Sequence, residues 1–256
     1  MKGEKGCLLG RPEIVKLGIL QRPEVSAVSR RPEELFSKIF EGMGCLKEPY
    51  KIELRPDAAP YAISCPRRIA IPLLEKTKAK LETMAAGAQP LIRRIEKPAE
   101  WCAPVVVIPK ADEDIRLCVD YSKLNAFVIR PRLQLPAVYE SLAKIPLTEN
   151  VVFSIRDAKQ GYWKVPLHPE SQELTTFLTP FGRYCWNRLP MGLSSAGEYY
   201  QSQMQAIIGE IPGVTIYQDD IVIHGQNNSQ HDERLMLVLE RLLNAGIRLN
   251  RKKCHI

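Results

Sequence analysis

The 256-residue sequence predicts an α+β fold, on three observations. Short β-type runs come in neighbouring pairs separated by turn residues, the pattern of hairpins. Two longer stretches, near residues 196–208 and 229–243, carry apolar residues at helical spacing. The two kinds of segment mix without the strict alternation that a doubly wound parallel sheet requires.

The elements follow in order. Fourteen of the 20 prolines lie in residues 1–140, which predicts extended segments and turns there. Residues 1–30 read as a short helix with a loose tail, begun near Pro12 and carried by Ile14, Leu17 and Ile19. Residues 31–44 read as another short helix, from Arg31-Pro32-Glu33-Glu34 through Phe36, Ile39 and Phe40, and residues 50–63 as extended. Leu73, Leu74, Leu81 and Met84 predict a helix from Pro72 onward. Residues 105–108 predict a buried strand, joined through the acidic turn Ala111-Asp112-Glu113-Asp114 to the alternating strand 115–121. Residues 151–155 form another strand, ending at Arg156-Asp157. Residues 175–178 and 184–187 flank Pro180-Phe181-Gly182 as a hairpin. Ser195-Ala196-Gly197-Glu198 has capping-box spacing and starts a helix through Tyr199, Met204 and Ile208. Residues 214–217 and 221–224 flank Gln218-Asp219-Asp220, and the amphipathic helix 229–243 follows, with Gly246 just past its end.

Composition bounds the class. At 45% hydrophobic and 25% charged the chain is globular rather than disordered. A net charge of +7 suits a polyanionic partner. No apolar run approaches the ~18 residues a membrane span needs. No apolar stretch follows Met1-Lys2-Gly3-Glu4-Lys5, so no secretory signal is expected. The seven cysteines contain no Cys-x-x-Cys pair, which predicts a reducing intracellular setting, cytoplasm or nucleus. His168, His224, His231 and His255 form no ligand set with them and read as ordinary surface or core residues.

Three carboxylates stand out. Asp157 ends an apolar strand, and Asp219 and Asp220 sit at the turn of an apolar hairpin. Adjacent carboxylates repel and resist burial. Two readings stand on the residues alone: a turn that doubles a favoured turn residue, or a site where a divalent cation cancels the charge.

The surrounding text carries a resemblance. Trp101-Cys102-Ala103-Pro104-Val105-Val106-Val107-Ile108-Pro109-Lys110 precedes Arg116-Leu117-Cys118-Val119-Asp120-Tyr121-Ser122-Lys123-Leu124-Asn125. Phe153-Ser154, Asp157 and Gly161-Tyr162-Trp163 come next. Then follow Thr175-Thr176-Phe177, Thr179-Pro180-Phe181-Gly182-Arg183-Tyr184 and Leu189-Pro190-Met191-Gly192-Leu193. The box Tyr217-Gln218-Asp219-Asp220, Gly246, Leu249-Asn250 and Lys252-Lys253-Cys254 close the series. In this order and spacing, residues 45–255 resemble the reverse transcriptase of a gypsy-type LTR retrotransposon Pol polyprotein, from fingers into palm.

The resemblance implies a right-hand polymerase with an antiparallel palm sheet backed by helices. Its expected activity is RNA-directed DNA polymerisation, adding dNTPs to a primer 3′-end on an RNA or DNA template. It implies two Mg²⁺ ions, with Mn²⁺ as the alternative, held by Asp157, Asp219 and Asp220. Strand alternation turns Asp220 partly away from its neighbour. Tyr162 would pack under the incoming sugar and disfavour a 2′-hydroxyl; a core aromatic is the other reading of that residue. Arg116 would pack on the incoming base and contact the triphosphate, two tasks a planar cation suits. Lys110 would be a second triphosphate contact, Met191 and Gly192 would line the nucleotide pocket, and Lys253 or its neighbour Lys252 would stand near the leaving pyrophosphate.

Residues 1–30, with Leu8-Leu9-Gly10-Arg11 and Leu17-Gly18, separately resemble the tail of a retrotransposon aspartic protease, though the chain contains no Asp-Thr-Gly or Asp-Ser-Gly; they read as a protease-tail remnant or linker, with a plain amphipathic segment as the other reading. On the reverse transcriptase resemblance, residues 31–100 lead into the fingers, and 101–256 are fingers and palm, ending before the primer grip and thumb. Gly197 stands where the family usually has proline, and residues 84–93 and 145–150 look lengthened. Arg67, Arg68, Arg93, Arg94 and Lys97 are candidate phosphate contacts, while Lys76, Lys78 and Lys80 read as a solvated helix face. A catalytically silent nucleic-acid-binding remnant is the rival reading, and an oligomer or a thumb-bearing partner a third. No membrane partner is expected.

Overall fold

The structure is a computed structural model and describes residues 36–110, 114–130, 151–158 and 161–254, the side chain of Lys252 excepted. The expected helix in residues 1–30, most of the acidic turn and the 145–150 stretch lie outside these residues.

Among the described residues, eight strands form two sheets. The larger runs β1(Ile92–Ile95), β6(Gly182–Trp186), β5(Phe177–Thr179), β2(Ala103–Pro109), β3(Ile115–Val119) in spatial order. Its pairings are antiparallel except β2 with β5, which is parallel. The smaller sheet is antiparallel, in the order β4(Val152–Asp157), β8(Asp220–Gly225), β7(Val214–Tyr217). Among the described residues the α-helices are α1(Leu74–Ala85), α2(Ser122–Asn125), α3(Pro169–Gln172), α4(Ala196–Ile208) and α5(Asn228–Asn244). Hairpins and helices mix as an α+β fold requires.

Local chemistry explains each long helix. In α5 the buried stripe is His231, Leu235, Val238, Leu239 and Leu242, at the three- and four-residue spacing of one helical face. The Asn227 side chain caps its start by accepting from Gln230 N at 2.9 Å. In α4 the inward residues are Ala196, Glu198, Tyr200, Gln201, Met204 and Ile208.

One face of β4 inverts the usual pattern. Ser154 and Arg156 are buried while Phe153 and Ile155 are half-buried. The burial of Ser154 is made affordable by α5: His231 Nε2 lies 2.9 Å from Ser154 Oγ, and its Nδ1 2.9 Å from Asp232 Oδ1. The carboxylate favours the Nδ1–H tautomer, so Nε2 accepts from the serine hydroxyl. His231 is 1% exposed. His231→Phe leaves the serine without a partner in a closed space and lowers stability by about 2–3 kcal/mol. Urea unfolding reads this as a lower midpoint at unchanged slope; an unchanged midpoint refutes the lock.

Several sequence expectations are corrected. The helix expected over 31–44 is, among the described residues, a single 3₁₀ turn Ser37–Phe40. Phe36 offers no capping oxygen, and Glu41 is already extended. Residues 105–108 are not a uniformly buried strand: Val105 is buried, but Val106 and Ile108 are 38% and 46% exposed, because only one face of β2 meets the core. The capping box does not form. Ser195 is itself helical with no cap bond, and Glu198 turns to Arg130, 2.5 Å away. Lys76 and Lys78 are exposed as expected, whereas Lys80 is half-buried and its ammonium pairs with Asp114 at 2.8 Å. Strand β1 has no counterpart in the sequence reading, which placed residues 84–93 in a junction.

Candidate active site

The small sheet brings the carboxylates together through register. Asp157 at the end of β4 stands opposite Asp220 at the start of β8, and Tyr217 pairs with Asp220 across the β7–β8 hairpin. Asp219 occupies the turn, and its carbonyl accepts from Ala158 N at 2.8 Å, tying it to the residue after Asp157. Asp220 is exposed, as strand alternation predicts.

Asp219 carries the strongest electrostatic signal. Its carboxyl is pushed up to about 6, first by burial, then by the charge of Asp157, with Asp220 adding to it. The ammonium groups of Lys164 and Lys253 oppose that rise. Asp219 Oδ1 is buried and has no hydrogen-bond partner among the described residues. Asp157 is better served: its Oδ2 accepts from Lys253 Nζ at 3.0 Å. A buried, orphaned carboxylate oxygen facing a second carboxylate fits a hard divalent cation, which takes oxygen ligands. Among the described residues, no three acidic, histidine or cysteine side chains already stand close enough together to enclose an ion.

Tyr162 lies beside this pair. Its ring meets Tyr200 edge-on at 5.5 Å, and its hydroxyl is raised first by burial and then by Asp219. Met191 and Gly192 form the turn before α4; Met191 is 46% exposed and Gly192 has φ +96°. That turn is clamped by Asn125, whose Nδ2 donates to Gly192 O at 2.8 Å while its Oδ1 accepts from Ser194 N at 2.9 Å. Lys110 and Arg116 stand on the β2–β3 hairpin of the other sheet. Lys110 pairs with Asp114 at 3.2 Å, and Arg116 is exposed. The structure thus gathers Asp157, Asp219, Asp220, Tyr162 and Lys253, and leaves Lys110, Arg116, Met191 and Gly192 on separate elements.

Four neighbours of the carboxylates were not assigned roles from sequence. Gly161 lies against Asp219, where a Cβ would overlap Asp219 Oδ1 and stand 2.7 Å from Tyr200 Cζ. Tyr200 is fully buried, its hydroxyl raised well above its usual value by burial and the charge of Asp219. Gln201 is hydrogen-bonded to the hairpin backbone. Lys164 is fully buried and donates to the Arg248 carbonyl. A buried lysine is rare enough to signal a role, but only the fold shows which charge it faces.

The aspartates thus stand at a strand end and in the turn of the adjoining hairpin, in a small antiparallel sheet beside a larger mixed one. Solved structures share the fold. The prototype foamy virus protease–reverse transcriptase superposes with a TM-score of 0.77 over 97% of this chain and 31% of that one, at 23% identity. Its complex with an RNA/DNA hybrid gives 0.75, covering 97% and 32%, at 22% identity. A family model described as reverse transcriptase (RNA-dependent DNA polymerase) matches residues 108–256. The chain belongs to the reverse transcriptase family. The Transposon Tf2-3 polyprotein of Schizosaccharomyces pombe is 31% identical over 181 residues, 70% of this chain, and the Tf2-7 polyprotein is 30% identical over the same length. The chain spans 13% of the length of these curated relatives. Among the described residues no helix is long and apolar enough to cross a membrane.

Proposed function

We propose that this chain is the fingers and palm of a gypsy-type LTR retrotransposon reverse transcriptase, adding dNTPs to a primer 3′-end. The observation that carries it is the half-buried Asp219 carboxylate beside Asp157 at the end of the palm sheet, whose Oδ1 is buried with no hydrogen-bond partner among the described residues. Asp157, Asp219 and Asp220 would hold two Mg²⁺, or Mn²⁺, which when bound activate the primer hydroxyl and neutralise the leaving pyrophosphate. Tyr162 closes the sugar pocket against a 2′-hydroxyl. Lys110 and Arg116 meet the triphosphate from the fingers, with Met191 and Gly192 beneath the nucleotide. Lys253, whose ammonium pairs with Asp157, would stand near the leaving pyrophosphate. Primer–template is the macromolecular partner, and the setting is intracellular. Within this reading residues 1–30 are a protease tail, 31–100 lead into the fingers, and 101–256 are the polymerase proper.

A silent nucleic-acid-binding remnant is the second reading, favoured by the lack of a ready three-acid cluster among the described residues. Extension of a primed RNA template at low salt, with Mg²⁺ and with EDTA, separates the two. Mg²⁺-dependent extension supports the polymerase; salt-sensitive binding without extension supports the remnant.

A further inference from the structure

The hairpin that carries Asp219 and Asp220 contains the one non-glycine residue with positive φ among the described residues, Gln218 at +51°. A residue with a side chain gives up about 1–2 kcal/mol in this left-handed region, so something else must hold it there. Gln201, inside α4 and 4% exposed, meets the turn from behind. Its Nε2 donates to Ile216 O at 3.0 Å and its Oε1 accepts from Gln218 N at 2.7 Å. One side-chain amide therefore bridges the last part of β7 and the strained residue. The carboxamide, with a donor and an acceptor on one head, does both at once. Tyr200, the residue before it, lies against Asp219 from the same helix.

We propose that Gln201 is a positioning residue for the polymerase reaction: its amide holds Gln218 in the left-handed conformation and so sets where Asp219 and Asp220 present their carboxylates. The proposal rests on the polymerase reading of those aspartates. It concerns a side chain that touches neither substrate nor cation and acts through the hairpin backbone.

Gln201→Met keeps the length and packing of the side chain and removes both hydrogen bonds. Two readouts follow. By amide hydrogen exchange on the metal-free protein, the Gln218 N–H of wild type is protected, and in Gln201→Met it exchanges at least about tenfold faster. The amides of Ile221 and Ile223 within β8 keep their rates. In primer extension, kcat falls about 10- to 100-fold, the range expected when support behind a reactive group is lost, with the KM for dNTP unchanged within about twofold. A suppressor makes the test specific. Glycine adopts positive φ without strain, so adding Gln218→Gly to Gln201→Met restores several-fold of the lost kcat, which general damage to the fold would not allow. The suppressed double variant also serves if Gln201→Met alone folds poorly. Unchanged Gln218 exchange in Gln201→Met, an unchanged kcat, or no recovery with Gln218→Gly overturns the proposal. A wild-type chain that extends no primer overturns the polymerase reading instead, and the exchange of Gln218 still decides whether Gln201 clamps the hairpin.

Discussion

Asp219→Asn abolishes primer extension, by about 10³-fold or more, and makes the metal-free protein more stable. The first half follows from the proposed chemistry, since an amide supplies no charge to a divalent cation. The second follows from burial. The Asp219 carboxyl, pushed up to about 6 by its enclosure and by Asp157, binds a proton more readily folded than unfolded. A raised folded value means stability is fully present below the ordinary carboxylate range, near pH 4, and is lost as pH rises through about 6. At neutral pH the ionised carboxylate therefore costs the metal-free protein about 2–3 kcal/mol, and the asparagine removes that cost. Urea midpoints measured on either side of pH 6 show it: the wild-type chain loses stability relative to the variant as pH rises through the window. Added Mg²⁺ raises the wild-type midpoint at neutral pH by preferential binding to the folded state and leaves the variant where it was. A variant no more stable than wild type at neutral pH refutes the electrostatic account, whatever its activity.

The opposite signs of those two effects explain what sequence could and could not show. Asp157, Asp219 and Asp220 were legible because each stands in an ordered run of motifs, and the hairpin around Asp219 has apolar strands on both sides. The strands and long helices were legible because their burial follows periods of two and 3.6. Gln201 was not. It opens the polar run Gln201-Ser202-Gln203, in which no apolar period marks an inward position, and only the fold turns the first of these inward to Ile216 and Gln218. Ser154 was hidden in the same way, as a polar residue inside an apolar strand whose partner lies 77 positions away. Strand β1 was missed because Ile92-Arg93-Arg94-Ile95 follows neither period: both isoleucines are buried, and the two arginines between them face β6 at an edge. The capping box failed for the converse reason. Its spacing was correct, but Arg130 draws Glu198 away from the helix start.

Gly161→Ala reaches the same carboxylate by sterics alone, with a smaller loss of rate but a loss of stability as well. The added methyl overlaps Asp219 Oδ1 and stands 2.7 Å and 2.8 Å from the Tyr200 ring carbon and hydroxyl. None of these can retreat cheaply. Tyr200 is fully buried, and the backbone of Asp219 is bonded to Ala158 N. The substitution therefore costs about 1–3 kcal/mol as overpacking. It also displaces the Asp219 carboxylate, and misplacement of a reacting group on the ångström scale costs on the order of 10²-fold in rate. Gly197→Ala is the matched contrast. Its methyl would meet only the Tyr162 hydroxyl, at 3.6 Å, an ordinary contact, in the first turn of α4. Replacing a helical glycine there stabilises by up to about 1 kcal/mol. Thermal unfolding and primer extension on the two variants separate the cases: Gly197→Ala melts at or above wild type, whereas Gly161→Ala loses both midpoint and rate. A Gly161→Ala protein that extends primer at the wild-type rate would mean that Asp219 has room to move, and that its carboxylate is not held where the palm sheet and α4 place it.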